Sequence, residues 1–237
     1  MAEAPLRISA KSLGALAVPD FCPRCLWIQL HAERLPFQIF PGIFSSIDSY
    51  TKKVIHHLLD AHGQAPAWLA GLGELRGYRD QADLHHSRFR FLDGASNVLL
   101  TGMPDDVLRL ANGDELLVDY KTSRYTSAQD GMMPVYRTQL NGYAFIARQL
   151  GWPVNGVALV YFEPATGEEP AGDPLNHKPD GFALGFAARL VPLELDLGSI
   201  PPLLLAARRL YDLPAPPAGV DGCKDCAAVD EIAAFVT

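Results

Sequence analysis

The sequence predicts a mixed α/β (α+β) domain in which a central mixed sheet is flanked by helices. Apolar residues recur at helical spacing over 48–61 and again over 134–150. Three extended segments lie between these two stretches, and an apolar strand follows the second one at 157–162. The predicted order is therefore helix, three antiparallel strands, helix and strand, or αβββαβ.

Two helices are expected near the N-terminus. Ser9 or Ser12 is placed to cap the first of them, because serine hydroxyls accept hydrogen bonds from free N–H groups at a helix start. Pro23 fits the first turn of the second, where its missing N–H costs nothing. The third helix, Asp48 to Ala61, has Asp48 or Ser49 as its expected cap and Gly63 as its terminator.

The extended segments are Arg88 to Leu92, Val98 to Leu110 and Glu115 to Tyr120, and the second is interrupted at Gly102-Met103-Pro104. Asn112-Gly113 separates the last two segments. Asn and Gly tolerate the positive φ of a tight turn, so this pair predicts a hairpin.

The C-terminal half begins with the helix Pro134 to Leu150, which Gly151 ends. Residues 163–180 are rich in Gly, Pro, Asp and Glu and are predicted to form a surface excursion before an extended segment at 182–195. A final helix is expected from about Ser199, and 214–219 forms a stiff spacer after it.

Length and composition limit the functional classes. A chain of 237 residues that is 49% hydrophobic buries a substantial core, so we expect one domain over 1–237. No apolar run approaches the roughly 20 residues that span a bilayer. The expectation is a soluble cytoplasmic protein without a membrane partner. The formal net charge of -7 argues against bulk electrostatic coating of nucleic acid, but a local basic groove stays compatible with it.

A carboxylate and an ammonium group are predicted to project together from one strand. Asp119 and Lys121 are two residues apart, and such residues share a face of a strand. The hairpin brings Asp105 towards Asp119, whereas Asp106 points to the opposite face. Two convergent carboxylates suit Mg²⁺ or Mn²⁺, and Lys121 is placed to orient a water or to stabilise developing charge.

The ordered set Gly-x-Pro-Asp, hairpin, Asp-Tyr-Lys-Thr resembles the two catalytic motifs of the PD-(D/E)XK nucleases. The similarity is closest to RecB-like exonucleases, including the CRISPR-associated iron-sulfur branch and the nuclease domains of AddB and Dna2. The resemblance implies a restriction-endonuclease-like core with Asp105, Asp119 and Lys121 as catalytic residues.

Further site residues follow from the resemblance. Gln139 and Tyr143 match the family's Gln-x-x-x-Tyr motif, whose residues contact DNA and help to hold the active site. His56, with His57 as the alternative, matches an upstream histidine that binds the metal. The implied metal ligands are His56, Asp105, Asp119 and the carbonyl oxygen of Tyr120.

Four cysteines form two Cys-x-x-Cys pairs in the segments 20–30 and 220–237, and they predict one metal site that joins the ends of the domain: Cys22, Cys25, Cys223 and Cys226. Four thiolates suit tetrahedral Zn²⁺ or an iron-sulfur cubane. The resemblance favours a [4Fe-4S] cluster, with Zn²⁺ as the alternative. The iron-sulfur branch typically has one cysteine before the core and three after it, whereas this chain has two and two.

The function implied is a Mg²⁺- or Mn²⁺-dependent deoxyribonuclease, in the exonuclease class, that acts on single-stranded DNA or duplex ends. DNA repair or CRISPR adaptation, with their proteins as partners, is the implied setting. Two alternatives stay open: a catalytically silent nuclease-fold subunit that binds DNA or protein, and a zinc-stapled binding module without chemistry. Five basic residues are candidates for a phosphate groove: Lys52, Lys53, Arg124, Arg137 and Arg148.

Overall fold

A computed structural model describes residues 4–32, 42–126 and 131–235. The strands of this part of the chain are β1 (Leu6–Ser9), β2 (Leu75–Tyr78), β3 (Arg90–Asp93), β4 (Val98–Thr101), β5 (Asp106–Leu110), β6 (Glu115–Lys121), β7 (Val154–Pro164), β8 (His177–Lys178), β9 (Gly181–Phe182) and β10 (Phe186–Leu193). The helices are α1 (Ala10–Leu13), α2 (Pro23–His31), α3 (Gly42–His62), α4 (Gln81–Leu84), α5 (Met133–Gln149), α6 (Glu168–Gly172), α7 (Ile200–Tyr211) and α8 (Lys224–Ala234). Short 3₁₀ turns cover Gly14–Ala17, Ala67–Leu72, Pro174–Asn176 and Leu197–Ser199.

The central sheet has five strands in the order β10-β7-β6-β5-β2. Only β6 and β7 pair in parallel within it, and the other neighbours are antiparallel. A parallel pair needs a long crossover, which α5 supplies between these two strands. The prediction of a mixed α/β fold with a central mixed sheet flanked by helices is confirmed.

The strand β6 lies between β5 and β7 and separates two hydrophobic clusters. Leu117 packs in the cluster that contains α5, and Leu116 and Val118 pack in the cluster that contains residues of α3. This alternation follows from the two-residue period of a strand. It places Asp119 and Lys121 on the α5 side.

The predicted strand order needs one correction. The segment predicted at 88–92 is β3, which pairs with β4 and β1 in a second, three-stranded sheet. The first strand of the αβββαβ core is instead β2, which pairs with β5 and was missed because Leu-Arg-Gly-Tyr is short and contains a glycine. The bend at Gly102-Met103-Pro104 therefore carries the chain from one sheet to the other.

The helix ends were predicted more accurately than the strand partners. Gly63 and Gly151 follow α3 and α5 with φ of 65° and 79°, which confirms both as helix terminators. Ser9 caps α1 by accepting a hydrogen bond from the N–H of Ser12. The start predicted for α3 was wrong, because the helix already includes Gly42, and Asp48 consequently lies inside it.

The two ends of the chain meet beside α7. Helix α2 packs against both α7 and α8. Since α8 follows α7, the expectation that the helix from Ser199 is the last one was also wrong. In the described ranges, no helix combines the length and the apolar character that a membrane crossing requires.

Candidate active site

Asp105 lies directly beside the strand that carries Asp119 and Lys121. It precedes β5, whose first residue, Asp106, pairs with Val118 of β6. Its Oδ2 accepts a hydrogen bond of 2.9 Å from the backbone N–H of Tyr120. The hairpin thus places Asp105 within one residue of Asp119 across the strand pair.

Asp119 is a buried carboxylate with partners on both oxygens. The Nε2 group of Gln139 donates to its Oδ1 at 3.0 Å, and the ammonium of Lys121 forms an ion pair with Oδ2. Burial raises the pKa of Asp119 to about 6, with Lys121 opposing this shift and the negative charge of Asp105 adding to it. The carboxylate therefore ionises less readily than an exposed one unless a cation compensates its charge.

Lys121 stays charged although it is largely buried. Burial lowers its pKa, but the negative charges of Asp119 and Asp105 outweigh that effect and raise the pKa above its ordinary value. The ammonium also lies 4.4 Å from the ring centroid of Tyr136, on the first turns of α5. A fixed positive charge is thus held beside two carboxylates.

Gln139 and Tyr143 face this site from α5 and are both buried. One amide group links them, because Gln139 Nε2 lies 3.0 Å from the Tyr143 hydroxyl as well as from Asp119. The hydroxyl also accepts the backbone N–H of Met103 in the bend before Asp105. The helix consequently holds both carboxylate-bearing segments in place.

Asp48, on α3, also approaches this site, although the sequence predicted it only as a helix cap. Its Oδ1 accepts a hydrogen bond of 3.1 Å from the Thr122 hydroxyl. Burial raises its pKa, and the nearby charge of Asp105 raises it further. Lys52, one turn later, forms an ion pair of 3.2 Å with Asp105 Oδ1. The signal that finds Asp48 is its i, i+4, i+8 spacing with Lys52 and His56.

His56 contacts the neighbouring carboxylate, Asp106. Its Nε2 lies 2.7 Å from Asp106 Oδ2, and the same oxygen accepts the Tyr120 hydroxyl at 3.1 Å. The imidazole also stacks on Tyr78 at a centroid distance of 3.6 Å. Since Asp106 occupies Nε2, these contacts do not support the predicted role of His56 as a metal ligand. His57, the alternative, is exposed.

The donor set fits a hard divalent cation. Asp105 is within electrostatic reach of both Asp48 and Asp119, so its negative charge repels those of two further carboxylates. Carboxylate oxygens are the ligands that Mg²⁺ and Mn²⁺ prefer, and a divalent ion relieves their repulsion. Asp105, Asp119 and Asp48 are the residues that would hold such an ion.

Comparison with known families and proteins identifies the superfamily of the chain. A family model for the PD-(D/E)XK nuclease superfamily matches residues 38–230. The chain belongs to this superfamily. Members of the PD-(D/E)XK superfamily use divalent metals and are usually nucleases, which supports a nuclease-type function. No curated protein matches the chain. A solved structure, that of SSO0001, is similar at 17% sequence identity with a TM-score of 0.39, covering 90% of this chain and 81% of that one.

This PD-(D/E)XK domain also brings its four cysteines together. Cys22 and Cys223 precede the first residues of α2 and α8, and Cys25 and Cys226 lie in the first turns of those helices. The ligand atoms of all four lie within 4.8 Å of one another. Burial opposes ionisation of Cys22, but N–H groups of Val220 and Cys25 donate to its sulfur, and its pKa falls to about 6. The site is compatible with metal binding.

Proposed function

We propose that the chain is a Mg²⁺- or Mn²⁺-dependent deoxyribonuclease of the RecB-like branch, which hydrolyses phosphodiester bonds. The observation that carries this proposal is the convergence of Asp105 and Asp119 beside the charged ammonium of Lys121. An ordinary ion pair lies on the solvated surface, whereas functional sites often bury a carboxylate beside a second negative charge, and a bound cation would relieve the repulsion between the two. The whole chain then acts as one nuclease domain with a cysteine staple between its ends.

Each residue has a distinct part in this proposal. Asp105, Asp119 and the Tyr120 carbonyl would hold the cation, which would supply Lewis-acid activation of a water and neutralise charge on the phosphate. Lys121 orients the attacking water or stabilises the charge that develops on phosphorus-bound oxygens. The water oxygen loses a proton to solvent and bonds to phosphorus, while one phosphorus–oxygen bond of the backbone breaks and the leaving oxygen takes up a proton from solvent.

The helices contribute the remaining parts. Asp48 is better placed than His56 as the ligand from α3, because His56 Nε2 is bound to Asp106. Gln139 positions Asp119 through its amide, and Tyr143 links this amide to the bend before Asp105. Lys52 beside Asp105 provides a positive charge for the phosphate backbone.

The resemblance extends the proposal to substrate and setting. RecB-like members are exonucleases, so we assign single-stranded DNA or duplex ends as the substrate and repair or CRISPR-adaptation proteins as partners. The class of nuclease is decided by assaying the purified chain on end-labelled and on circular DNA, because an exonuclease requires an end.

Replacing Lys121 by Ala tests the central assignment. We expect Mg²⁺- or Mn²⁺-dependent cleavage of DNA to fall about 100-fold or more, as when a charge-stabilising group is removed from an active site. Lys178→Ala is the matched control, since Lys178 is exposed on the β8–β9 hairpin and bonds the Leu175 carbonyl. Thermal unfolding of both variants checks that the fold persists.

Two results would contradict the proposal. Cleavage retained in Lys121→Ala would remove that residue from the reaction. Metal-independent DNA binding by the unaltered protein, without cleavage under any divalent ion, would instead support the catalytically silent subunit.

A further inference from the structure

The four-cysteine site is built from two equivalent halves. Each half is a Cys-x-x-Cys pair at the start of a helix, one on α2 and one on α8. The sulfur of Cys226 lies 3.5 Å from those of Cys22 and Cys25, and the sulfur of Cys223 lies 3.6 Å from that of Cys25. Two sulfurs from each end of the chain thus form one compact group.

We propose that this group binds a single tetrahedral ion, Zn²⁺, in place of the [4Fe-4S] cluster that the family resemblance implies. Four thiolates around one zinc at about 2.3 Å stand about 3.8 Å apart at the tetrahedral angle. The sulfur separations of 3.5 and 3.6 Å are close to that value. The two-plus-two arrangement of Cys-x-x-Cys pairs is also the one typical of structural zinc sites.

A cubane does not fit the same sulfurs. Each of its four thiolates binds a different iron and points away from the cluster centre, so the sulfurs stand roughly 6 Å apart. All four cysteine sulfurs lie within 4.8 Å of one another, which leaves no room between them for four irons and four sulfides. Binding a cubane would require the two helix starts to separate.

The surroundings hold the sulfurs at this short spacing. N–H groups of Cys25 and Val220 donate to the sulfur of Cys22, as the outer partners of metal-bound thiolates do. Gly219 approaches Cys226 so closely that a Cβ there would lie 2.8 Å from the sulfur. Arg24 neighbours Cys226 and binds Asp230 of α8 at 3.0 Å, which ties the two halves together.

In this proposal the bound ion, and not hydrophobic packing, holds α8 against the rest of the domain. Cys226 is the buried residue of this helix, and its remaining described residues are half-buried or exposed. A helix with so little buried apolar surface does not dock stably by itself. Metal binding supplies the missing free energy, because a ligand that binds only the assembled site stabilises it. Loss of the ion should therefore free the segment that follows α7.

The direct test is elemental analysis of the full chain, purified anaerobically from iron- and zinc-supplemented cells, together with its visible spectrum and its acid-labile sulfide. We expect one zinc per chain, no sulfide and no visible absorption band. Iron with equivalent sulfide and a broad visible band would overturn the proposal, and so would a metal-free protein with disulfide-paired cysteines.

A variant pair tests the staple without relying on nuclease activity. Cys226→Ser should lower the zinc content at least ten-fold and make limited proteolysis cut between α7 and α8, while Lys224→Ala, on the exposed side of the same turn, should change neither. Because Cys226→Ser can misfold, the unaltered protein is also treated with a strong zinc chelator. The same cut should then appear, and re-addition of zinc should protect it. Protection that needs iron and sulfide, or proteolysis indifferent to chelation, would refute the inference.

Discussion

Replacing Gly102 by Ala tests whether the bend before Asp105 depends on close packing. A Cβ at this position would lie 2.6 Å from Cδ1 and Cε1 of the Tyr143 ring and 3.2 Å from Cδ1 of Phe89. Carbon atoms at optimal separation stand about 3.5–4.0 Å apart, so the added methyl cannot be accommodated without movement. The ring of Tyr143 and the backbone of the bend must separate.

The size of the effect follows from this overlap. An extra methyl in a well-packed core costs about 1–3 kcal/mol, and for a domain of this length each kcal/mol lowers the melting temperature by about 2–4 °C. We therefore expect a decrease of roughly 2–12 °C. Since the Tyr143 hydroxyl shares the Gln139 amide with Asp119, metal-dependent cleavage should also fall, by about 100-fold for a displacement near 1 Å.

Thermal unfolding and cleavage of end-labelled DNA are the two measurements. Gly94→Ala is the matched control, because Gly94 lies in the exposed turn between β3 and β4 and a Cβ there meets nothing within 4 Å. If Gly102→Ala melts and cleaves like Gly94→Ala, the bend is not held by contact with Tyr143, and the reasoning fails.

Two further predictions concern the carboxylates. Burial raises the pKa of Asp119 to about 6, whereas an exposed aspartate titrates near 4, so the metal-free folded protein binds a proton that the unfolded chain lacks between about pH 4 and pH 6. The contribution of Asp119 to the free energy of unfolding should therefore fall as the pH rises through that interval and stay constant above it. Over the same interval the thermal stabilisation by Mg²⁺ should grow. A stabilisation by Mg²⁺ that does not change with pH would contradict this. Asp48→Asn keeps an acceptor for Thr122 but removes a charge near Asp105, so the Mg²⁺ concentration needed for cleavage should rise roughly ten-fold. An unchanged Mg²⁺ requirement would exclude Asp48 from the site.

Signals that act over a few residues allowed several helix ends to be predicted correctly. Pro23 opens α2, and Gly63 and Gly151 close α3 and α5, because a fixed φ or a positive φ is required at those points. The hairpin at Asn112-Gly113 was found for the same reason, with Gly113 at a φ of 88°. Each of these residues constrains its own backbone, whatever the rest of the chain does.

Strand partners could not be predicted in this way. The segments at 90–93 and 106–110 have similar apolar patterns, yet one lies in the small sheet and the other in the central one. Between them the chain crosses from one sheet to the other at the bend where Gly102 approaches the Tyr143 ring, a contact between residues 41 positions apart. Strand pairing depends on packing between distant residues, which a local sequence pattern does not reveal.

The candidate site shows the same division between features set by local signals and features set by packing between distant residues. The two-residue period of an extended chain correctly put Asp119 and Lys121 of β6 on one face, and it put Asp105 and Asp106, at the start of β5, on opposite faces. Asp48 was missed because the start of α3 was placed six residues too late, which made an interior residue look like a cap. An error in a helix boundary thus concealed a candidate site residue.

The position of α3 connects these observations. On the face of the sheet opposite Asp119, Asp106 contacts His56 and accepts a hydrogen bond from the Tyr120 hydroxyl, and this network fixes the helix against β5 and β6. One and two turns earlier on the same helix face, Lys52 and Asp48 reach over the strand ends towards Asp105. The hairpin alone supplies two carboxylates and a lysine, but the third carboxylate reaches them only while α3 is held in place. His56 therefore shapes the proposed metal site through the helix that it anchors, without having to bind the metal itself.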